Sequence, residues 1–133
     1  MKLLLDSHAL LWSIIKSDAL SKNIIREIKD TKNQVFVSAV SLWEIALKYG
    51  LGKLVFESFD IRDIPRYCEQ MGFELIPLLP QEALEYFQLP RKKKHKDPFD
   101  RMLIYQCIKN SYVLASRDGK MDLYREDGLK YIW

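Results

Sequence analysis

Cysteine is scarce: Cys68 and Cys107 are the only two in 133 residues. They have neither metal-site spacing nor the look of a disulfide framework, and both fall inside helical patterns. They read as small buried apolar residues in a reducing compartment. Histidine is equally scarce, with two residues, so no His/Cys cluster offers itself to zinc. No apolar run is long enough to span a membrane. The opening MKLLLDSHALLW begins like a secretory leader, but Asp6 and His8 interrupt its apolar core and no small-residue cleavage site follows. These absences point to a soluble cytoplasmic protein. An excess of one charge is missing too. Against 21 Lys and Arg stand 18 Asp and Glu, a formal +3, so the location of the charge carries more information than its sum. No internal repeat and no low-complexity linker divides the chain. With 48% hydrophobic residues, its length suits one domain with a real core over residues 1–133.

What is present is an alternation of apolar strand-like runs with helical patterns. Lys2–Leu5 is a continuous apolar run of the kind that forms a buried parallel strand. His8–Ile15 reads as a helix packed on a sheet. Ser21 caps a second helix through Ile24, Ile25 and Ile28, and Gln34–Val37 is the second strand. Ser38 or Ser41 starts a helix over Leu42–Tyr49 that Gly50 or Gly52 ends. Asp60–Met71 reads as a helix, Glu74–Ile76 as a strand and Glu82–Phe87 as a short helix opened by Pro80. Leu89–Lys96 is a loop, followed by a helix from Pro98 to Lys109 and a strand over Tyr112–Ala115. A short helix at Met121–Tyr124 and an edge strand at Lys130–Trp133 complete an α/β chain with a central parallel sheet.

The densest chemistry lies in His95–Cys107, HKDPFDRMLIYQC. Asp97 and Asp100 sit at the start of an apolar helix, directly after the most basic run of the chain, Arg91–Lys96. Asp97 is also a good N-cap, Pro98 suits the first helical position, and the helix dipole favours Asp100 in the first turn. In a parallel sheet, ligands bind beyond the carboxyl ends of the strands. That rule selects Asp6 after the first strand, Asp118 after the strand ending at Ala115, and Asp97 and Asp100 at the same end. It also selects Glu44, in the first half of the helix after the second strand. Glu44 is flanked by Leu42, Trp43, Ile45, Ala46 and Leu47, and burying a carboxylate there is costly unless it is paired or holds a metal. Each has a plain alternative: Asp6 as a cap, Glu44 paired with Lys48, Asp118-Gly119 as a turn. Carboxylates gathered at one point repel unless a divalent cation neutralises them. An oxygen-only ligand set suits Mg²⁺ or Mn²⁺.

The segments LLLDSHALLW, SAVSLWEIALK, HKDPFDRMLIYQC and LASRDGKMDLY, with a terminal YIW, resemble in content and order the PIN-domain family, in particular the VapC-type toxin ribonucleases of toxin–antitoxin modules. The resemblance implies a three-layer α/β/α fold with a central, mostly parallel sheet and an Mg²⁺- or Mn²⁺-dependent endoribonuclease. It places Asp6, Glu44, Asp100 and Asp118 in the metal pocket and Ser7 and Ser116 at supporting polar positions. Asp97 either shares the work or only caps. Ser116 stands where threonine is usual, Arg117 adds a positive charge beside Asp118, and Asp122 is a neighbouring substitute.

Arg91, Lys92, Lys93, Lys94, His95 and Lys96 are the obvious phosphate contacts, although such a run is often only a solvated loop. Two other readings fit less of the chain. A phosphoryl-accepting signalling domain needs a paired acid after the first strand, where this chain has Asp6 alone. A non-catalytic RNA-binding module has no need of convergent carboxylates. The resemblance further implies a cognate antitoxin and a homodimer. Ile14-Ile15 and Ile24-Ile25 cannot both turn inward on a helix, which leaves apolar surface for such a contact.

Overall fold

The computed structural model describes residues 1–133. Five strands, β1 (Lys2–Leu5), β2 (Gln34–Ser38), β3 (Glu74–Ile76), β4 (Val113–Ala115) and β5 (Lys130–Ile132), form one sheet in the order β3-β2-β1-β4-β5. Every pairing is parallel. The helices are α1 (Ser7–Ile15), α2 (Lys22–Lys29), α3 (Ala39–Gly50), α4 (Ile64–Gln70), α5 (Pro80–Glu85) and α6 (Pro98–Asn110).

The apolar runs of the central strands are buried on both faces, which is why they show no polar alternation. Leu3, Leu5, Val35, Val37 and Ala115 point into one core with Leu10, Ile24, Ile64 and Cys68. Leu4, Phe36 and Leu114 point the opposite way, into a second core with Leu103, Ile104, Cys107 and Tyr124. The sheet thus separates two layers of helices, a three-layer α/β/α arrangement. Both cysteines are free and buried, as expected.

Caps set the helix starts. The Asp6 carboxylate accepts from Ala9 N at 2.8 Å, Ser21 Oγ from Ile24 N at 3.0 Å, and Asp97 from Asp100 N at 2.9 Å. Ser38 rather than Ser41 caps α3, accepting from Val40 N at 3.1 Å, so that helix begins before Leu42. The segment read as one helix from Asp60 to Met71 is divided. A 3₁₀ turn covers Ile61–Asp63 and the α-helix starts at Ile64. Pro65 has no N–H to bond the carbonyl four residues back, so it is tolerated only in a first turn. The short helix expected at Met121–Tyr124 is a longer 3₁₀ run, Gly119–Asp127, ended by Gly128 at φ 102°, a left-handed position that glycine takes without strain.

The order of the strands decides where a ligand fits. From β1 the chain moves outward through β2 and β3, then returns to β4 on the other side of β1. The switch point lies between β1 and β4. Its carboxyl end carries Asp6, directly after β1, and Ser116 and Asp118, just after β4.

Candidate active site

A cleft of about 360 Å³ opens at that switch point, lined by Asp6, Ser7, His8, Trp12, Glu44, Lys48, Asp97, Asp100, Arg117 and Asp118. The sequence places these residues on four elements, and the topology brings them to one mouth. Asp6 and Ser7 lie at the entry to α1. Glu44 extends from α3, Asp97 and Asp100 from the first turn of α6, and Asp118 from the turn after β4. All five carboxylates selected from the sequence therefore share one cleft, with only Lys48 and Arg117 as fixed positive charges.

Each carboxylate is held by local bonds. Glu44, 4% exposed, takes the Ser7 hydroxyl at 2.6 Å and the Lys48 ammonium. Lys48 is the partner expected for a plain helix pair, but here the pair is largely buried on the Glu44 side. Ser116 is fully buried, and its Oγ accepts from Asp118 N at 3.2 Å, shaping the turn that presents Asp118. The Asp118 carboxylate itself accepts from Lys120 N at 2.9 Å. Ser7 thus bonds an acid's carboxylate directly, whereas Ser116 bonds the backbone N–H of another.

Burial of unneutralised carboxyls has an electrostatic signature. Burial raises the Asp6 carboxyl above its ordinary value, and Glu44 adds to the rise; the Ala9 N–H, the Ser116 hydroxyl and His8 oppose it. Asp100 is pushed up to about 6, by burial first, then by the charge of Asp97, against its hydrogen bond from His95 and with Glu44 adding to the rise. Neither Asp6 nor Asp100 has a lysine or arginine partner. The donor set is hard oxygen, negatively charged and short of cations, which fits a divalent ion of the Mg²⁺ or Mn²⁺ kind. The donor atoms are not all equally close. One each from His95, Asp100 and Asp118 lie within 4.8 Å of one another, and Asp6 and Glu44 line the same cleft outside that group.

Two members of the basic run are placed differently from the sequence reading. His95 does not join the exposed phosphate contacts. It is 3% exposed, with Nε2 3.1 Å from Asp100 Oδ2 and Nδ1 2.8 Å from the Tyr124 hydroxyl. Lys92 is turned inward as well, its ammonium 2.8 Å from both Glu126 and Asp127 and 5.5 Å above the Tyr124 ring. Arg91, Lys93, Lys94 and Lys96 remain exposed. With Lys92, all but Lys94 of these line a second cavity of about 780 Å³, floored by Tyr86, Phe87, Leu89, His95 and Arg101. Arg117, noted in the sequence beside Asp118, does line the cleft. Sequence reasoning missed Arg101 and Tyr124; the place of Arg101 directly after Asp100 in the chain was the one signal that pointed to it.

The apolar surplus expected on the early helices is small. Ile24 is buried, Ile14 and Ile25 pack against the core, and only Ile15 is exposed, at 46%. A larger exposed set lies on and after α3, at Trp43, Leu47, Leu51 and Val55. No helix is long and apolar enough to cross a membrane.

The PIN domain family model matches residues 3–127. No curated protein matches the chain. Among solved structures, VapBC2 from Rickettsia felis, bound to a DNA fragment from its promoter, superposes with a TM-score of 0.66 at 18% identity, covering 99% of this chain and 98% of that one. DNA-bound VapBC from Salmonella typhimurium gives 0.64 at 20% identity, covering 99% and 97%. VapBC-1 from nontypeable Haemophilus influenzae gives 0.63 at 14% identity, again covering 99% and 97%. At these identities the likeness is one of fold.

Proposed function

The chain belongs to the PIN-domain family, and from that premise we propose that it is a metal-dependent endoribonuclease, the VapC-type toxin of a toxin–antitoxin module, acting as a single domain of residues 1–133 in the cytoplasm. The observation that carries the reading is the gathering of Asp6, Glu44, Asp97, Asp100 and Asp118 in one cleft with only two fixed cations.

In this reading Asp6, Glu44, Asp100 and Asp118 hold Mg²⁺ or Mn²⁺. A bound ion would neutralise phosphate charge, favour ionisation of the attacking water and stabilise the leaving oxygen. The chain's own groups do the rest. Ser7 fixes the Glu44 carboxylate through its 2.6 Å hydrogen bond, and Ser116 fixes the turn of Asp118. Asp97, whose carboxylate already accepts the Asp100 N–H, caps α6 and, with Asp118, orients water near the scissile phosphate. Arg91, Lys93, Lys94 and Lys96 contact the RNA backbone, with affinity that falls as salt rises. Lys92 fastens the loop that carries them.

The partners follow from the same reading. A nuclease acting on its own cell's RNA needs restraint, and the three VapBC assemblies named above support a protein antitoxin. A basic side chain of that antitoxin, entering among the carboxylates, would compete with the metal. A homodimer is proposed as well, with the exposed residues of α3 as a larger apolar surface than the early helices offer.

The test is incubation of RNA with the purified chain in Mn²⁺, in EDTA, and in EDTA followed by excess Mn²⁺. Cleavage that is lost and then restored supports the enzyme. RNA binding without cleavage in Mn²⁺ or Mg²⁺ would leave a binding module on the same scaffold.

A further inference from the structure

Behind Asp100 runs a buried chain of hydrogen bonds that the catalytic proposal does not use. Arg101, Tyr124 and His95 are 7%, 0% and 3% exposed. Arg101 Nη1 lies 2.9 Å from the Tyr124 hydroxyl, which lies 2.8 Å from His95 Nδ1; His95 Nε2 lies 3.1 Å from Asp100 Oδ2. The guanidinium has only donors, so at the first link the phenol oxygen accepts. The phenol proton is then free to point at His95 Nδ1, its other neighbour. With Nδ1 as the acceptor, the neutral ring's proton sits on Nε2 and gives Asp100 Oδ2 a donor. In this arrangement every link has one donor and one acceptor, with Arg101 fixing the direction of the first.

Arg101 is itself anchored. Its Nε donates to the Tyr86 hydroxyl at 3.0 Å, Nη1 also to Pro90 O at 3.0 Å, and Nη2 to Leu89 O at 3.1 Å. The chain therefore starts from a rigid point on the backbone before the basic loop. Asp100 makes one side-chain hydrogen bond, through Oδ2, which leaves Oδ1 as the oxygen without a partner.

Resting on the metal-site reading above, we infer that His95 is a positioning residue: locked as the Nε2–H tautomer by Arg101 and Tyr124, it fixes the Asp100 carboxylate through Oδ2 and leaves Oδ1 as the oxygen that would hold a divalent ion. Groups that hold a metal ligand in this way commonly account for 10–100-fold in metal affinity. The competing assignment makes His95 itself a ligand, since its ring nitrogen lies within 4.8 Å of donor atoms from Asp100 and Asp118. A ligating Nε2 carries no proton. The proton would then sit on Nδ1 and face the Tyr124 oxygen, which already accepts from Arg101. The phenol proton would be left without an acceptor in a fully buried position, a costly arrangement.

The test is Mn²⁺ binding by the full chain without RNA, followed by the electron paramagnetic resonance signal of free Mn²⁺. His95→Ala is expected to weaken binding about 10-fold or more. His95→Gln, whose amide N–H reaches toward Asp100 as Nε2–H does, recovers most of the loss. Tyr124→Phe weakens binding several-fold although residue 124 touches no metal ligand other than through His95. RNA affinity measured in EDTA stays unchanged in all three variants. Near-UV circular dichroism checks folding; if His95→Ala does not fold, His95→Gln and Tyr124→Phe decide. Wild-type affinity in both His95→Ala and Tyr124→Phe would overturn the positioning role alone. Nitrogen coupling to bound Mn²⁺ in the wild type would overturn it in favour of direct ligation. Failure of the wild type to bind Mn²⁺ would overturn the metal site and the positioning role together.

Discussion

On one side of the His95 ring lies the acidic cleft, where Asp6, Asp97, Asp100 and Asp118 form no ion pair with any lysine or arginine; on the other lies the basic cavity, where Arg91, Lys93 and Lys96 likewise form none. Asp97 follows Lys96 directly in the chain, yet the opposite charges are not spent on each other. The loop's one inward lysine, Lys92, pairs instead with Glu126 and Asp127, away from the cleft. His95 links the two regions: it lines the basic cavity, bonds Asp100 of the acidic cleft through Nε2, and bonds the buried Tyr124 through Nδ1. Keeping the opposite charges apart leaves one surface able to take a cation and the neighbouring one able to take a polyanion.

The largest effects are expected at the acidic cleft. Asp6→Asn or Asp100→Asn should lower RNA cleavage by more than about 100-fold, since loss of a metal ligand exceeds the usual effect of its supporting groups. Far-ultraviolet circular dichroism should stay unchanged. Full activity in Asp6→Asn would remove the cleft from the chemistry.

On the basic side, replacing Lys93, Lys94 and Lys96 together with Ala should weaken RNA binding about 10-fold at low salt. It should flatten the salt dependence by about 0.7 in log–log slope for each lost contact to a single strand, while single-turnover cleavage at saturating RNA stays near wild type. An unchanged slope would return the run to a solvated loop.

The cleft should also be a stability liability when metal is absent. Asp100 has a folded pKa of about 6, against an unfolded value of about 3.9. The folded state holds the extra proton between these values, so the apo protein loses stability as pH rises from about 4 to about 6. The cost is full above that window and absent below it. Asp100→Asn in EDTA should therefore be more stable than wild type by roughly 1–3 kcal/mol at pH 7 and equal to it near pH 3.5, a difference read from urea unfolding. A gain of the same size at both pH values would assign the effect to packing instead.

The smallest effect separates the two kinds of lysine in the loop. Lys92→Ala should lower the melting temperature by a few degrees and leave the salt slope of RNA binding unchanged, because its ammonium faces Glu126 and Asp127. A drop in slope equal to that of Lys93→Ala would mean that Lys92 leaves its partners to meet RNA.

Much of the scaffold was legible because it rests on local rules. Lys2–Leu5 reads as a two-sided buried strand from its unbroken apolar run, and Asp6, Ser21 and Asp97 read as caps from their place before helical patterns. The shared cleft of the candidate acids was legible in part from one topological rule, which brings Asp6 and Asp118, just past β1 and β4, to the switch point; Glu44 stood out by its apolar neighbours, and Asp97 and Asp100 by their place at the start of α6. The inward turn of His95 was not legible. In the sequence it lies among lysines, and nothing local says that its ring reaches Tyr124, 29 residues later. Lys92 was hidden for the same reason, its partners lying in the 3₁₀ run Gly119–Asp127. Pairs of neighbouring isoleucines showed that one of each must turn outward, but not that Ile14 and Ile25 would find core contacts at the margins of their helices.

If the acidic cleft is a cation site, a divalent metal must stabilise the folded chain through its carboxylates. The most direct measurement is thermal melting against Mn²⁺ concentration, comparing wild type with the Asp6→Asn/Asp100→Asn double variant. Without metal the double variant should melt higher, because buried repelling charge has been removed. With metal the wild-type melting temperature should climb with the logarithm of Mn²⁺ concentration once the dissociation constant is passed, overtaking a double variant that does not move. Parallel shifts in both proteins, or a wild type that Mn²⁺ leaves unmoved, would contradict it.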